Sequence, residues 1–204
     1  MKKEKTSVIL SHITKSFGEK EVLRDLSLTL TPDTIYCLMG ASGSGKTTLF
    51  RIILGLDTPD ETEGVFPIME GIPSRIGCQF QEDRLCTDFS VRSNLRLARK
   101  GVSDKEIAEH LSAVGLEKEL HTAVRHLSGG MRRRVSLVRA ILSDAPLILL
   151  DEPFQGLDDH HRTEAAAYIR RYTKGKTVLI VTHDEEDAQR LSAILVQFED
   201  LQKK

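Results

Sequence analysis

The chain has 204 residues, 40% hydrophobic and 29% charged, which suits one globular core and is too apolar for a disordered chain. Lysine plus arginine (29) balances aspartate plus glutamate (30), so a net charge of −1 supplies no global basic field for nucleic acid or anionic lipid. The apolar runs at 147–150 and 178–181 are far short of the ~20 residues that span a bilayer, and Met1 to Lys5 lead into a polar strand without a secretory pattern.

Val8, Leu10 and Ile13 alternate roughly, Gly18-Glu19-Lys20 is a turn, and Leu26, Leu28 and Leu30 alternate with Ser27 and Thr29; together they predict a strand pair. Thr31-Pro32-Asp33 turns the chain before an apolar strand at 35–39. A glycine-rich loop then leads into a helix over 46–54, with Gly55 as a left-handed stop. Residues 57–75 read as short strands and turns. From about 90 to 145 the chain reads as helical. Ser103 to Glu106 form a capping box, Ile107, Leu111 and Val114 share one face, and Gly115 ends that helix. Met131, Val135, Val138 and Leu142 mark a further helix. In the last third, strands at 147–150, 178–181 and 194–198 alternate with helices at 161–172 and 185–191. Fully apolar strands separated by helices predict a parallel sheet covered on both faces. Cys37, Cys78 and Cys86 lack metal-ligand spacing and read as reduced, buried or partly buried thiols, and Gln202-Lys203-Lys204 reads as a solvated terminus.

Gly40-Ala41-Ser42-Gly43-Ser44-Gly45-Lys46-Thr47 fits G-x-x-x-x-G-K-[ST] between a predicted strand and a predicted helix. Glycines let such a loop turn its N–H groups around a polyphosphate, and the helix adds its positive dipole end. Lys46 can then reach the terminal phosphates and the Thr47 hydroxyl can ligate Mg²⁺. The strand at 147–150 runs into Asp151 and Glu152, which places two carboxylates at the sheet edge where ligands of such folds sit. Asp151 is suited to holding the metal, and Glu152 to orienting or deprotonating water. Leu127-Ser128-Gly129-Gly130-Met131 precedes a helix, which by itself is ordinary helix punctuation with Ser128 as N-cap.

In this order and spacing the motifs closely resemble those of the ATP-binding cassette (ABC) ATPases, from about residue 7 to residue 198. Residues 40–47 match the Walker A loop, 147–152 the Walker B strand, and 127–131 the family signature, with Met131 in place of its commonest glutamine. Gln81 matches the Q-loop glutamine, Gln155-Gly156-Leu157-Asp158 the D-loop, and His183 the switch histidine, while Phe17 stands at the adenine-stacking position. Each has a plain alternative: Gln81 a loop amide, Phe17 a strand-end core ring, His183 a satisfied loop histidine. His160-His161 has no matching role and reads as a solvent-facing helix start. Arg132-Arg133-Arg134 reads as a solvated or phosphate-adjacent helix face rather than a nucleic-acid patch.

The resemblance implies an α/β fold: a P-loop NTPase (RecA-like) core with a mainly parallel sheet, a small antiparallel β portion trimmed between Gly64 and Arg75, and an inserted α-helical subdomain at roughly 86–145, all within a single domain over 1–204. It implies ATP and Mg²⁺ as cofactors. Phe17, Gly40, Ala41, Ser42, Gly43, Ser44, Gly45, Lys46, Thr47, Thr48, Ser128, Gly129 and Gly130 would meet nucleotide, with Thr47, Gln81 and Asp151 at the metal and Glu152 and His183 catalytic. The implied partners are a second ABC ATPase, identical or not, transmembrane permease subunits and an extracytoplasmic substrate-binding protein, without nucleic acid. The implied place is the cytoplasm, peripheral on the inner face of the membrane. Phe80-Gln81-Glu82-Asp83-Arg84-Leu85 and the stretch Leu127 to Met131 resemble the nitrate/sulfonate/taurine importers, although Cys86-Thr87-Asp88 replaces the Leu-Pro-Trp frequent there. The alternatives are a soluble ABC ATPase working on DNA or ribosomes, or another P-loop enzyme. A guanine-reading segment is missing, since Thr173-Lys174-Gly175-Lys176 lacks the aspartate.

Overall fold

In the computed structural model, which describes residues 6–61 and 64–203, strands β1 (Val8–Phe17) and β2 (Lys20–Leu30) pair antiparallel across the Gly18-Glu19 turn. Their alternating residues Leu10, Ile13, Leu23, Leu26 and Leu30 are all buried. The chain turns into β3 (Ile35–Met39) and, after the glycine-rich loop, α1 (Lys46–Ile53), where Gly55 (φ 68°) provides the left-handed stop. A three-residue strand, β4 (Ile68–Glu70), adds to the other edge of β1, so the antiparallel portion is a sheet of order β2-β1-β4 with a short third strand.

The second sheet is entirely parallel. Strands β5 (Ile76–Gln79), β6 (Leu147–Asp151), β7 (Thr177–Val181) and β8 (Ile194–Gln197) join β3 in the order β5-β6-β7-β3-β8. Period-2 alternation divides β3, β6 and β7 between two cores. Cys37, Ile148, Leu150, Val178 and Ile180 enter one core with the helices, while Leu38, Leu147, Leu149, Leu179 and Val181 enter another with α1 and the antiparallel sheet. Fully apolar strands are what a sheet covered on both faces requires, and the predicted α/β class is observed.

Between β5 and β6 lie α2 (Val91–Arg96), α3 (Asp104–Ser112) and α4 (Gly129–Leu142); α5 (Asp159–Tyr172) and α6 (Glu185–Leu191) follow. Ser103 caps α3 by accepting from the Glu106 N–H (3.1 Å), while the Glu106 carboxylate pairs with Arg99 instead of closing the box. Residues 113–128 are turns and one short 3-10 segment (Val124–His126) rather than continuous helix.

Other expectations change. Strand β5 was not legible, because Gly77 interrupts its apolar pattern; a Cβ there would lie 2.3 Å from the Ala140 carbonyl, so the glycine admits the backbone of α4. Arg133 and Arg134 are buried rather than solvated. Cys37 is buried and Cys78 half-buried as expected, but Cys86 is exposed. Gln202 and Lys203 are tied down: the Gln202 side chain accepts from the Arg24 N–H (2.9 Å) and Lys203 pairs with Asp25, while the expectation for Lys204 falls outside the described residues. The expectation for Met1 to Lys5 falls outside the described residues.

Candidate functional site

The loop between β3 and α1 sits at the carboxyl ends of the parallel strands and forms one wall of a cavity of about 580 Å³. Gly40, Ser42, Gly43, Gly45, Lys46, Thr47 and Thr48 line it, together with Phe17, Gln81, Asp151, Glu152, Gln155 and His183 from four other segments. Gly45 (φ 116°) turns the chain into α1 where β2 passes behind; an added Cβ would lie 2.9 Å from both the Val22 carbonyl and Leu23 Cδ2. Lys46 Nζ donates to the Gly40 and Ala41 carbonyls (both 2.7 Å) and reaches Ser44 Oγ at 3.3 Å. Ala41 and Ser44 thus hold the lysine rather than line the cavity. Behind the loop, Glu199 accepts from the Ala41 N–H at 3.1 Å, which holds its carboxyl below the usual range.

Strand β6 delivers the two carboxylates. Asp151 is buried, and its acidity is weakened first by burial and second by the neighbouring Glu152 charge, against the pull of Arg133, Thr47 and Lys46. Thr47 Oγ1 donates to Asp151 Oδ2 at 3.4 Å, so loop and strand end meet across the cavity floor. Glu152 stands in the left-handed region (φ 50°), with its N–H bonded to the Val181 carbonyl at 2.9 Å. That backbone presents its carboxylate to His183, whose Nδ1 lies 3.0 Å from both oxygens. The hydrogen bond to Glu152 is the main reason the His183 pKa is raised.

Phe17 is 52% exposed at the cavity rim rather than a core ring, with Lys15 Nζ 5.6 Å from its centroid. The sequence-predicted residues of the Walker loop, strand end, Q-loop and switch therefore converge on one cleft. Ser128, Gly129 and Gly130 do not: none of them lines it. They form the first turn of α4, where Ser128 Oγ accepts from the Met131 N–H (3.2 Å); Ser128 and Gly129 are exposed, and an added Cβ on Gly129 meets nothing within 4 Å.

Sequence reasoning missed Arg133 and Glu199. Arg133 binds the carbonyls of Phe80, Gln81, Asp151 and Glu152 from inside the protein. Arg134 Nη1 similarly donates to the Val114 carbonyl (2.7 Å), so two of the three consecutive arginines are absent from any surface patch. The signal for both lay in α4 itself, where Val135, Leu137, Val138, Ala140, Ile141 and Leu142 are apolar all round, the pattern of a helix enclosed on every side. His160 is exposed as expected, while the half-buried His161 joins the cap of α5 on Asp158.

A parallel sheet with a phosphate-type loop after β3, and paired carboxylates ending a strand separated from β3 only by β7, defines a P-loop nucleotide-binding domain. The family model described as "ABC transporter" matches residues 23–155, and the chain belongs to that family. A Nod factor export ATP-binding protein I of Rhizobium meliloti is 38% identical over 200 residues, covering 91% of this chain and 59% of the relative. The protein of the same name from Cupriavidus metallidurans is 37% identical over 195 residues, covering 89% and 64%. The chain thus spans about three-fifths of the length of these curated relatives. Among solved structures, an ATP-binding subunit of an ABC transporter superposes with a TM-score of 0.80 at 25% identity, covering 95% of this chain and 86% of that one. A bacterial Atm1-family ABC exporter with ATP bound shares the fold at a TM-score of 0.80 and 20% identity, covering 91% of this chain and 36% of that one.

Proposed function

We propose that this chain is the ATP-binding and ATP-hydrolysing subunit of a transporter, working as a dimer of ABC ATPases, homomeric or heteromeric, around two MgATP. The observation that carries the reading is the separation on one chain of the phosphate loop from the Ser128-Gly129-Gly130 turn, which opens helix α4, is exposed at Ser128 and Gly129, and lines no part of its own cleft. A second ATPase supplies the complementary turn.

In this reading Phe17 stacks on adenine, and the N–H groups of the cleft-lining part of the loop, Ser42, Gly43 and Gly45 to Thr48, surround the phosphates. Lys46 exchanges its bonds to the Gly40 and Ala41 carbonyls for phosphate oxygens. The Thr47 hydroxyl, the Gln81 amide and the buried Asp151 carboxylate are hard oxygen donors on one cleft, a set that fits Mg²⁺. The ion neutralises phosphate charge when bound. Glu152 takes a proton from water, and His183 holds Glu152 in place and faces the terminal phosphate.

Closure and opening of the dimer drive separate permease subunits, with the chain peripheral at the cytoplasmic face. No helix among the described residues is long and apolar enough to cross a membrane. The named relatives are export proteins, which favours export over the import expected from residues 80–85; an extracytoplasmic binding protein has no support from them and is not part of the proposal. Burial of Arg133 and Arg134 removes the basic patch that would favour nucleic acid.

The test is Glu152→Gln, purified and saturated with ATP and Mg²⁺. Turnover should fall at least ~100-fold, with nucleotide still bound and the chain sedimenting as a dimer alone or with its permease. A variant that turns over at the parent rate, or stays monomeric in both settings, refutes the reading.

A further inference from the structure

We propose that Arg133 is a positioning residue: its buried guanidinium holds the left-handed backbone of Glu152 and the start of the loop that carries Gln81, so that both side chains stay aimed into one cleft. This rests on the function proposed above and adds a residue that touches neither nucleotide nor metal.

The side chain rises from the second turn of α4, is only 4% exposed, and spends its N–H donors on two segments. Toward β6, Nη2 donates to the carbonyls of Asp151 (2.5 Å) and Glu152 (2.6 Å), and Nε donates again to Glu152 (3.0 Å). Toward the loop after β5, Nη1 donates to the carbonyls of Phe80 and Gln81 (both 2.8 Å) and pairs with Asp83 Oδ1 at 3.2 Å. One rigid planar fork therefore bridges the strand end bearing the proposed base and the loop bearing Gln81.

The arrangement is needed because Glu152 sits at φ 50°, a conformation that a non-glycine residue keeps only when its surroundings enforce it. Bonds to the carbonyls of residues 151 and 152 act on the peptide groups that flank that torsion. The same face of α4 reinforces the loop: Ser136 Oγ donates to the Asp83 carbonyl (3.1 Å), and Arg139 donates to the carbonyls of Asp83 (3.1 Å) and Arg84 (2.9 Å). The Arg133 backbone is itself fixed by the buried Gln79 amide, which donates to its carbonyl at 3.0 Å. Lysine retains the charge, but three donors on one atom cannot span both segments as the fork does.

The experiment compares Arg133→Lys and Arg133→Gln with the parent. In nucleotide-free protein, exchange of the Glu152 amide, protected in the parent by its bond to the Val181 carbonyl, should speed up about tenfold or more in Arg133→Gln while amides earlier in β6 keep their protection. In turnover, kcat should fall about 10–100-fold with affinity for a fluorescent ATP analogue within about threefold, and Arg133→Lys should recover part of the loss. In a Glu152→Gln background the Arg133 changes should lower the residual rate no further, since two residues acting as a unit are non-additive. Unchanged exchange at Glu152, equal losses in kcat and affinity, or a multiplicative loss in the double variants overturns the proposal. If Arg133→Gln does not fold, Arg133→Lys and Asp83→Ala, which frees Nη1 from the half-buried side, should show the same pattern at smaller size; parent-like behaviour in both overturns it. A parent that neither binds nor hydrolyses ATP defeats the proposed function instead, while the exchange measurement still decides whether Arg133 holds Glu152.

Discussion

Replacing Gly45 with alanine tests whether the shape of the phosphate loop is imposed by the strand behind it. The residue sits at φ 116°, where an L side chain is strained by about 1–3 kcal/mol. The new Cβ would also lie 2.9 Å from the Val22 carbonyl and 2.9 Å from Leu23 Cδ2. Neither can retreat cheaply: Val22 is in β2, paired to β1, and Leu23 is fully buried, so the clash adds about 1–3 kcal/mol of overpacking. A total near 2–6 kcal/mol is large against the ~5–15 kcal/mol that holds a domain folded. Either the fold absorbs it, lowering Tm by about 4 °C or more, or the loop shifts, its N–H groups lose aim and ATP affinity drops roughly 30-fold or more. Gly43→Ala is the control. Its φ of 75° is also left-handed but an added Cβ meets nothing within 4 Å, so only the strain of about 1–3 kcal/mol applies. Thermal denaturation and titration with a fluorescent ATP analogue read both variants. Equal behaviour of Gly45→Ala and Gly43→Ala in both assays would refute the claim that β2 shapes the loop.

Gly129→Ala should leave folding and nucleotide affinity unchanged, because the added methyl meets nothing within 4 Å, yet weaken ATP-driven self-association of the Glu152→Gln protein about tenfold or more; undiminished association by ultracentrifugation would count against the clamping role of that turn. Tyr168→Phe removes a hydroxyl 2.6 Å from the Nδ1 of buried His110, so it should cost about 1–3 kcal/mol and lower Tm by roughly 2–10 °C; an unchanged Tm would show the bond to be idle. Burial lowers the pKa of His110 below its ordinary 6.5, so the unfolded chain takes up the proton first, and stability present above pH 6.5 is lost as the pH falls below it. Urea titrations at pH 7.5 and 5.5 should show that loss shrinking in His110→Gln; an equal loss in variant and parent would rule out His110 as its source.

What the sequence by itself determined is local. Turn chemistry placed Gly18-Glu19 and Gly55; alternating residues placed β1 and β2 and continuous apolar runs β3, β6 and β7; and the loop 40–47 with the acidic end of β6 marked one cleft from the sequence alone. These features are legible because a strand, a cap or a glycine-rich turn is specified by residues a few positions apart. Tertiary structure decided what depends on distant neighbours. Strand β5 exists because Gly77 admits the α4 backbone, Arg133 is a buried brace because α4 is enclosed on all sides, and Glu199 returns to the phosphate loop across 158 residues of chain. In each case the residues next in sequence, even where they signal burial, do not say which distant group will be met. A buried polar group must find its hydrogen bonds wherever the fold brings them, and that is settled only when the sheet order β5-β6-β7-β3-β8 closes.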